Sequence, residues 1–315
     1  MATLEEDSIK TEKSVSEEIE RGSFAPAINT IAEQTKLVIA TYNIRYAVGS
    51  FLITGSLFRR AGLSLPSRRK RLVASHISRA ARALSDGIRM PRVDVLALQE
   101  ADKQTVRAGG VHITRELARE MQMDYAHASF NAPRGVEMES KQWYLDFEER
   151  IAPDDAGDTG LAMLSRLPLN SITRMQLPGT DCAWRPRLAL ETVIQIGEKK
   201  LFLYNTHIDP HGSIAERLKQ QEAILERAAE NANAPVILLG DFNTLTREAR
   251  KCMRSLLESH GYTTPFADGT ATWRAGLIRL HTDWVFVRGV RITSYGVARG
   301  LSVSDHWPVW IEIDL

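Results

Sequence analysis

An acid and an amide directly follow an apolar segment of this chain. Residues 235–239 are apolar and end at Gly240, after which come Asp241 and Asn243. Such a run is typical of a buried strand, where an unpaired carboxylate is costly. Because ligands collect at the carboxyl ends of strands in α/β sheets, Asp241 and Asn243 indicate a catalytic rim.

The same arrangement recurs at other apolar segments. Runs at 37–40, 93–98 and 201–204 each end on polar residues, and two further runs begin on them near the C-terminus. The polar residues at the ends of these runs include Asn43, Glu100, His207, Asp283, Asp305 and His306. Carboxylates, amides and imidazoles at the ends of strands far apart in sequence predict one shared site built from several strand ends.

These strand-end motifs resemble those of the endonuclease/exonuclease/phosphatase superfamily, the metal-dependent phosphoesterases that include DNase I-like nucleases. The motifs occur in the family's order and together span roughly residues 36–315. They are TYNIR at 41–45, LQE at 98–100, NTH at 205–207, GDFN at 240–243, DWVFV at 283–287 and SDH at 304–306, with GLAMLSR at 160–166 resembling a structural strand.

The resemblance implies an α/β (α+β) fold, a four-layer sandwich of two mixed β-sheets packed face to face with helices on the outside. Capping signals predict a helix from Ser67 to about Leu84, one starting at the capping box of Ser213, and one from about Arg247 to Ser259. These helices alternate with the apolar strands, as the layered arrangement requires.

Domain organisation follows from the spread of the motifs. Because motifs at both ends of the match contribute to one inferred site, we expect a single domain over residues 36–315, with insertions at about 48–65 and 131–158. The stretch up to about Arg21 is rich in Glu, Ser and Lys, so we expect residues 1–35 to form a disordered acidic and polar tail.

The resemblance also implies a bound Mg²⁺, or Mn²⁺ in its place. Mg²⁺ takes oxygen ligands and keeps several waters, so one or two protein carboxylates are enough. Glu100 is the expected direct ligand, with Asp305 and Asn43 completing or supporting the metal site. The ion would neutralise phosphate charge and stabilise the leaving oxygen.

The remaining motif residues are expected to act on water and phosphate. Asp241 is expected to orient and deprotonate the attacking water, and Asn243 to hold that water or a phosphate oxygen. His306 is expected to contact the phosphoryl group, with Asp283 fixing and charging its ring. His207 is expected to be a second donor to the phosphate oxygens.

Two further residues are candidates for substrate binding. Some nuclease relatives carry an acid where this chain has Arg45, which cannot ligate a metal. A site with one metal ion is therefore expected, with Arg45 contacting substrate phosphate. Trp273 would stack on a base or lipid group, although core packing explains an aromatic residue at this position equally well.

Composition constrains the partners and the compartment. The 315 residues carry a formal net charge of +1, so no global field selects nucleic acid, although a local patch would suffice. The two cysteines, Cys182 and Cys252, form neither a disulfide framework nor a zinc site, which favours a reducing, cytoplasmic location. No run is long enough to span a bilayer, and the oligomeric state is left open.

The predicted function is a Mg²⁺-dependent phosphoesterase that hydrolyses phosphodiester or phosphomonoester bonds by metal-assisted attack of water. Its substrate would be a phosphate ester: a small molecule, a lipid head group or a nucleic acid. The alternatives are a nuclease acting on DNA or RNA, and a non-catalytic interaction module with the same fold. The module predicts gaps among the candidate catalytic residues, and the sequence has none.

Overall fold

The computed structural model describes residues 19–26, 36–49, 66–134, 151–181 and 186–315. The helices in these ranges are α1 Pro66–Ser85, α2 Ile113–Met121, α3 Ile214–Ala229 and α4 Arg247–Ser259. The strands are β1 Ile19–Ser23, β2 Lys36–Asn43, β3 Val95–Lys103, β4 Asp124–Ser129, β5 Asp158–Ser165, β6 Leu169–Gln176, β7 Leu188–Ile196, β8 Lys199–His207, β9 Val236–Asp241, β10 Trp273–Ala275, β11 Ile278–Leu280, β12 Asp283–Arg288, β13 Arg291–Val297 and β14 Val309–Asp314.

The strands form two large mixed sheets and a small hairpin. Sheet A has the order β1-β4-β5-β3-β2-β14-β13, and sheet B has the order β12-β9-β8-β7-β6. Each large sheet contains one parallel pair, β2 with β3 and β8 with β9, and its other pairs are antiparallel. Parallel neighbours need a crossover connection, which α1 supplies in sheet A and α3 in sheet B. The carboxyl ends of β2 and β3 therefore share one edge, as do those of β8 and β9.

Three apolar clusters hold the layers together. The central cluster lies between the sheets and includes Ile39 of sheet A and Leu239 of sheet B. A second cluster joins sheet A to α1 and α2, and a third joins sheet B to α3 and α4. Helices thus cover the outer faces of two stacked sheets, which confirms the predicted four-layer sandwich.

The helix starts follow from local capping. The Ser213 hydroxyl accepts from the Glu216 amide while the Glu216 carboxylate accepts from the Ser213 amide, which is the predicted capping box of α3. At the start of α4, the Thr246 hydroxyl accepts from the Ala249 amide, which is a single side-chain cap. Helix α2 was not expected from the sequence; it begins after His112, whose Nδ1 accepts from the Arg115 amide.

Part of the predicted N-terminal tail is ordered. Ile19–Ser23 forms β1, which pairs antiparallel with β4 at the edge of sheet A. Glu20 on β1 accepts a hydrogen bond from the Tyr125 hydroxyl at 2.9 Å and pairs with the Lys103 ammonium at 2.7 Å. The prediction of disorder is therefore wrong for these five residues. Backbone pairing and charge contacts, rather than an apolar run, hold this edge strand.

Other expectations fall partly outside the described residues. These are the tail at 1–18 and 27–35, most of the two predicted insertions, at 50–65 and 135–150, and Cys182. Within the described ranges, no helix is long and apolar enough to cross a membrane.

Candidate active site

The amide of Asn43 joins the two sheets at one end of the sandwich. Its Nδ2 lies 3.0 Å from Glu100 Oε1 and 3.0 Å from Asp241 Oδ2, and all three residues are buried or nearly so. Its Oδ1 accepts the Arg45 backbone N–H at 3.1 Å. Because a backbone N–H only donates, this bond fixes which way the amide points and leaves Nδ2 facing the two carboxylates.

Glu100 reaches the site through a β-bulge. The pairing of β3 with β5 shifts register between Leu98 and Ala101, and Glu100 has a left-handed backbone with φ of 51°. A non-glycine residue in this conformation costs about 1–2 kcal/mol, and bulges commonly re-aim a side chain beside an active site. The bulge turns a carboxylate that a regular strand would direct elsewhere toward Asn43.

Gly240 permits the close approach of β9 and β8 just before Asp241. Its φ is 141°, and a Cβ atom at this position would lie 2.0 Å from the Thr206 carbonyl oxygen. Asp241 is then held at the strand end, opposite His207 in the parallel register. The Asn243 backbone amide donates to Asp241 Oδ1 at 2.9 Å, and the Asn243 Nδ2 donates to the Ile208 carbonyl at 2.7 Å.

A buried imidazole lies between two carboxylates. His306 Nδ1 is 2.9 Å from Asp283 Oδ2, and His306 Nε2 is 3.7 Å from Asp241 Oδ2. Burial alone would lower the pKa of the His306 ring, but Asp283 and Asp241 outweigh burial and raise that pKa to about 10. Burial and the nearby Asp283 raise the pKa of Asp241 to about 7, although His306 and the Asn43 amide oppose this shift.

His207 faces the same carboxylates from strand β8. Its Nε2 lies 3.9 Å from Glu100 Oε1 and 3.8 Å from Asp241 Oδ2. The imidazole is 2% exposed, so it lies in the floor of the site rather than at its rim. These contacts bring four other side chains together around the Asp241 carboxylate: Asn43, Glu100, His207 and His306.

Asp305 joins this cluster through three neighbours. Trp273 Nε1 donates to Asp305 Oδ2 at 3.0 Å, and Arg45 Nε lies 3.5 Å from the same oxygen. The Ser304 hydroxyl contacts Asp305 Oδ1 at 3.2 Å and the Asn43 carbonyl oxygen at 2.8 Å. Both residues expected to bind substrate thus contact Asp305, and their contact with substrate stays a prediction.

A polar bridge to which the sequence motifs assign no role joins the two sheets beneath the site. Gln99 Nε2 donates to Asn205 Oδ1 at 2.7 Å, and Asn205 Nδ2 donates to the Leu98 carbonyl at 2.9 Å and the Ala162 carbonyl at 3.0 Å. Both side chains are fully buried. The bridge fixes the bulge that carries Glu100 against β8 of sheet B. Polar residues inside apolar strands were the signal that could have revealed it.

The donor chemistry suits a hard cation. Among the described residues, Asp241, Asp283 and His306 form a group of three His and acid side chains close enough to share a metal ion. Because the His306 ring is cationic near neutral pH and bound by Asp283, it is a poor ligand. Glu100 and Asp305 offer carboxylate oxygens of the kind Mg²⁺ prefers, at 8% and 9% exposure.

Comparison with known proteins gives the class to which this arrangement belongs. The sequence profile of the Endonuclease/Exonuclease/phosphatase family matches residues 40–306. The match covers most of the 315 residues, so the chain belongs to this family, whose members are hydrolases acting on phosphate esters. The predicted family membership is confirmed. No curated protein sequence matches the chain.

Solved structures share the fold at low sequence identity. An endonuclease/exonuclease/phosphatase from Bacteroides vulgatus is 16% identical with a TM-score of 0.60, covering 90% of this chain and 100% of that chain. A mannosyl-6-phosphatase from Bacteroides thetaiotaomicron is 15% identical with a TM-score of 0.55, covering 89% and 100%. TDP2 from D. rerio, complexed with single-strand DNA product, is 15% identical with a TM-score of 0.54, covering 90% and 100%.

Proposed function

We propose that this protein is a Mg²⁺-dependent phosphoesterase, with Mn²⁺ as a substitute ion, which hydrolyses phosphodiester or phosphomonoester bonds. The observation that carries the proposal is the cluster around Asp241. In it, Asn43 lies 3.0 Å from both Glu100 and Asp241, and two imidazoles lie within 4 Å of the Asp241 carboxylate. Acids, an amide and imidazoles converging at the strand ends provide ligands for a cation and donors for phosphate.

Glu100 and Asp305 are the residues that would hold the ion. Bound there, the ion would supply charge neutralisation of the phosphate and stabilisation of the leaving oxygen. Asn43 positions the Glu100 carboxylate through its Nδ2, because its Oδ1 already accepts the Arg45 amide. Trp273 and Arg45 orient Asp305 from the other side.

Asp241 is the proposed general base. With a pKa raised to about 7, the Asp241 carboxylate is partly ionised near neutral pH and is basic enough to accept a proton. The Asn243 backbone amide fixes Asp241 Oδ1 and leaves Oδ2 facing Asn43 and the two imidazoles. Asp241 would take the proton of the attacking water, and the Asn243 side chain would support that turn through Ile208.

His306 is the proposed phosphate partner. Asp283 holds its Nδ1 and keeps the ring cationic, so its Nε2–H is available to an anionic phosphoryl group. His207 would donate to a second phosphate oxygen from the other side of Asp241. Both imidazoles would be most useful when negative charge on the phosphoryl oxygens is greatest.

The alternative function is a nuclease that hydrolyses DNA or RNA by the same metal-assisted attack of water. It is favoured by the likeness to TDP2, whose structure holds single-strand DNA product, while the mannosyl-6-phosphatase favours a small substrate. The salt dependence of substrate affinity separates the two functions, because a long nucleic acid releases many counterions on binding. A steep loss of affinity with salt supports the nuclease. The cytoplasmic location stays a prediction that follows from the two cysteines.

A panel of substrates tests the proposal. Plasmid DNA, single-stranded DNA and RNA, bis-(p-nitrophenyl) phosphate, p-nitrophenyl phosphate, sphingomyelin and phosphoinositides are each incubated with Mg²⁺, Mn²⁺ or EDTA. We expect metal-dependent turnover that disappears in Glu100→Ala and persists in Glu116→Ala, which removes a carboxylate on α2. No turnover of any member would favour the non-catalytic module with the same fold.

A further inference from the structure

Three arginines gather around one tryptophan beside the active site. The guanidinium carbons of Arg274, Arg279 and Arg299 lie 5.2, 6.0 and 6.0 Å from the centre of the Trp307 ring. Arg274 and Arg279 belong to the β10–β11 hairpin, and Arg299 precedes β14. Trp307 is 3% exposed, so it forms a covered apolar platform for the three cations.

The arrangement is electrostatically unfavourable without an anion. Arg274 and Arg279 are directly opposite each other in the antiparallel hairpin, and like charges at such positions destabilise a sheet. Throughout the described ranges, no carboxylate oxygen lies within 4.0 Å of a guanidinium nitrogen of these three arginines. A local conflict of this kind is expected where a binding site, rather than stability, determines the residue.

The arginine cluster adjoins the candidate active site. The backbones of Trp273 and His306 form an isolated antiparallel β-bridge, and the Arg274 backbone amide donates to the Asp305 carbonyl at 3.0 Å. Trp307 directly follows His306 in sequence. Trp307 is thus one residue from the proposed phosphate partner, His306, and two residues from the proposed metal ligand, Asp305.

We propose that Arg274, Arg279 and Arg299 form a second phosphate-binding subsite, so that the substrate is a phosphate ester carrying at least one phosphate group besides the one hydrolysed. Guanidinium groups bind phosphate in a bidentate manner, and they stay charged at any pH the protein meets. The inference rests on the proposed function, because it names the substrate class of the same site.

The hairpin can be altered without disturbing the core. Leu277 at its turn is fully exposed, and Arg279 is exposed as well. Replacing arginine by glutamine there removes charge while leaving the buried layers intact. Because a like-charge pair is relieved, we expect the ligand-free Tm of Arg279→Gln to equal or exceed that of the parent.

The test is calorimetric binding to two pairs of probes that differ by one phosphate. These are thymidine 3′,5′-bisphosphate against thymidine 5′-monophosphate, and inositol 1,4-bisphosphate against inositol 1-phosphate. All proteins carry Asp241→Asn to prevent turnover and are measured with Mg²⁺. The parent is compared with Arg274→Gln/Arg279→Gln, with Arg299→Gln, and with Arg291→Gln, a control that removes one positive charge at the start of β13, where Arg291 pairs with Asp314 of β14.

We expect the parent to bind at least one bisphosphate about tenfold more tightly than its monophosphate. That advantage should vanish in the double variant, shrink in Arg299→Gln and persist in Arg291→Gln. An advantage in one pair only supports the subsite and identifies the nucleotide or the inositol scaffold. No advantage in either pair, or an equal advantage in the arginine variants, overturns the subsite. Because binding is read without hydrolysis, failure of the proposed function is detected separately by the substrate panel.

Discussion

His306 and Asp283 form a buried pair in which Nδ1 of the ring lies 2.9 Å from Oδ2 and 3.0 Å from Oδ1 of the carboxylate. Asp283 is itself fixed by the Thr282 hydroxyl at 2.9 Å and by a bond from its own backbone amide to the Thr272 hydroxyl at 3.0 Å. The carboxylate therefore holds the protonated ring in one orientation. It leaves Nε2 directed toward Asp241.

Asp283→Asn should lower kcat by about a hundredfold, the scale of losing one preorganised donor to transition-state charge. The amide cannot stabilise the imidazolium, so the pKa of His306 should fall as well. Turnover of the best panel substrate and NMR titration of the ring measure the two effects. Asp268→Asn removes an acid on a surface loop and should leave both unchanged. Wild-type kcat in Asp283→Asn would contradict the role of the pair.

The dependence of kcat/KM on pH should be bell-shaped. The proposed base works only when ionised, so activity should rise with pH through about 7, the raised pKa of Asp241. The proposed donor works only when protonated, so activity should fall through about 10, the raised pKa of His306. Asp283→Asn should move the upper limb to lower pH. An unchanged upper limb in that variant would contradict the assignment of His306.

Stability of the metal-free protein should also depend on His306. Its folded pKa of about 10 exceeds the ordinary 6.5, so the folded state holds the proton more tightly than the unfolded chain. This contribution is complete below pH 6.5 and is lost as pH rises to about 10. In EDTA, the free energy of unfolding in urea should fall over that pH window by more than about 1 kcal/mol further in the wild type than in His306→Gln. His260→Gln, at the C-cap of α4, serves as control and should follow the wild type. If the free energy of unfolding depended on pH in the same way in the wild type and in His306→Gln, the contribution of His306 protonation to stability would be refuted.

The sequence was most informative where an apolar run ended on a polar residue. Asp241 and Glu100 could be assigned to one site because strand ends meet at a sheet edge, and the Ser213 capping box could be predicted because capping is local. Asn43 and His207 joined them on the strength of their motifs. All four lie within one set of contacts in the structure.

What the sequence could not predict depends on contacts between distant segments. Strand β1 lacks an apolar run, and it exists because its backbone pairs with β4 and Glu20 meets Lys103. The left-handed conformation of Glu100 depends on the bulge against β5, which no local residue preference specifies. The bond between Gln99 and Asn205 joins two sheets that are adjacent only once the sandwich has formed.

That bond leads to a prediction about stability. Asn205→Ala should destabilise the protein by about 1–3 kcal/mol, because it leaves Gln99 and two carbonyl groups buried without their partner. It should also lower kcat, since the Leu98 carbonyl next to the Glu100 bulge loses its fixed position. Urea unfolding and turnover measure both effects. Glu198→Ala in the exposed turn between β7 and β8 is the control. Wild-type stability in Asn205→Ala would contradict the role of the bridge.

In the proposed function, Glu100 holds a divalent cation that the reaction requires. The direct test is a titration of turnover with Mg²⁺ after EDTA treatment, for the wild type and for Glu100→Gln, which keeps the shape of the side chain and removes its charge. We predict no turnover in EDTA, saturable recovery in the wild type, and a half-saturating Mg²⁺ concentration about ten- to a hundredfold higher in Glu100→Gln. Turnover that survives EDTA would show that the reaction needs no divalent cation, and identical titration curves for the two proteins would show that Glu100 does not hold one.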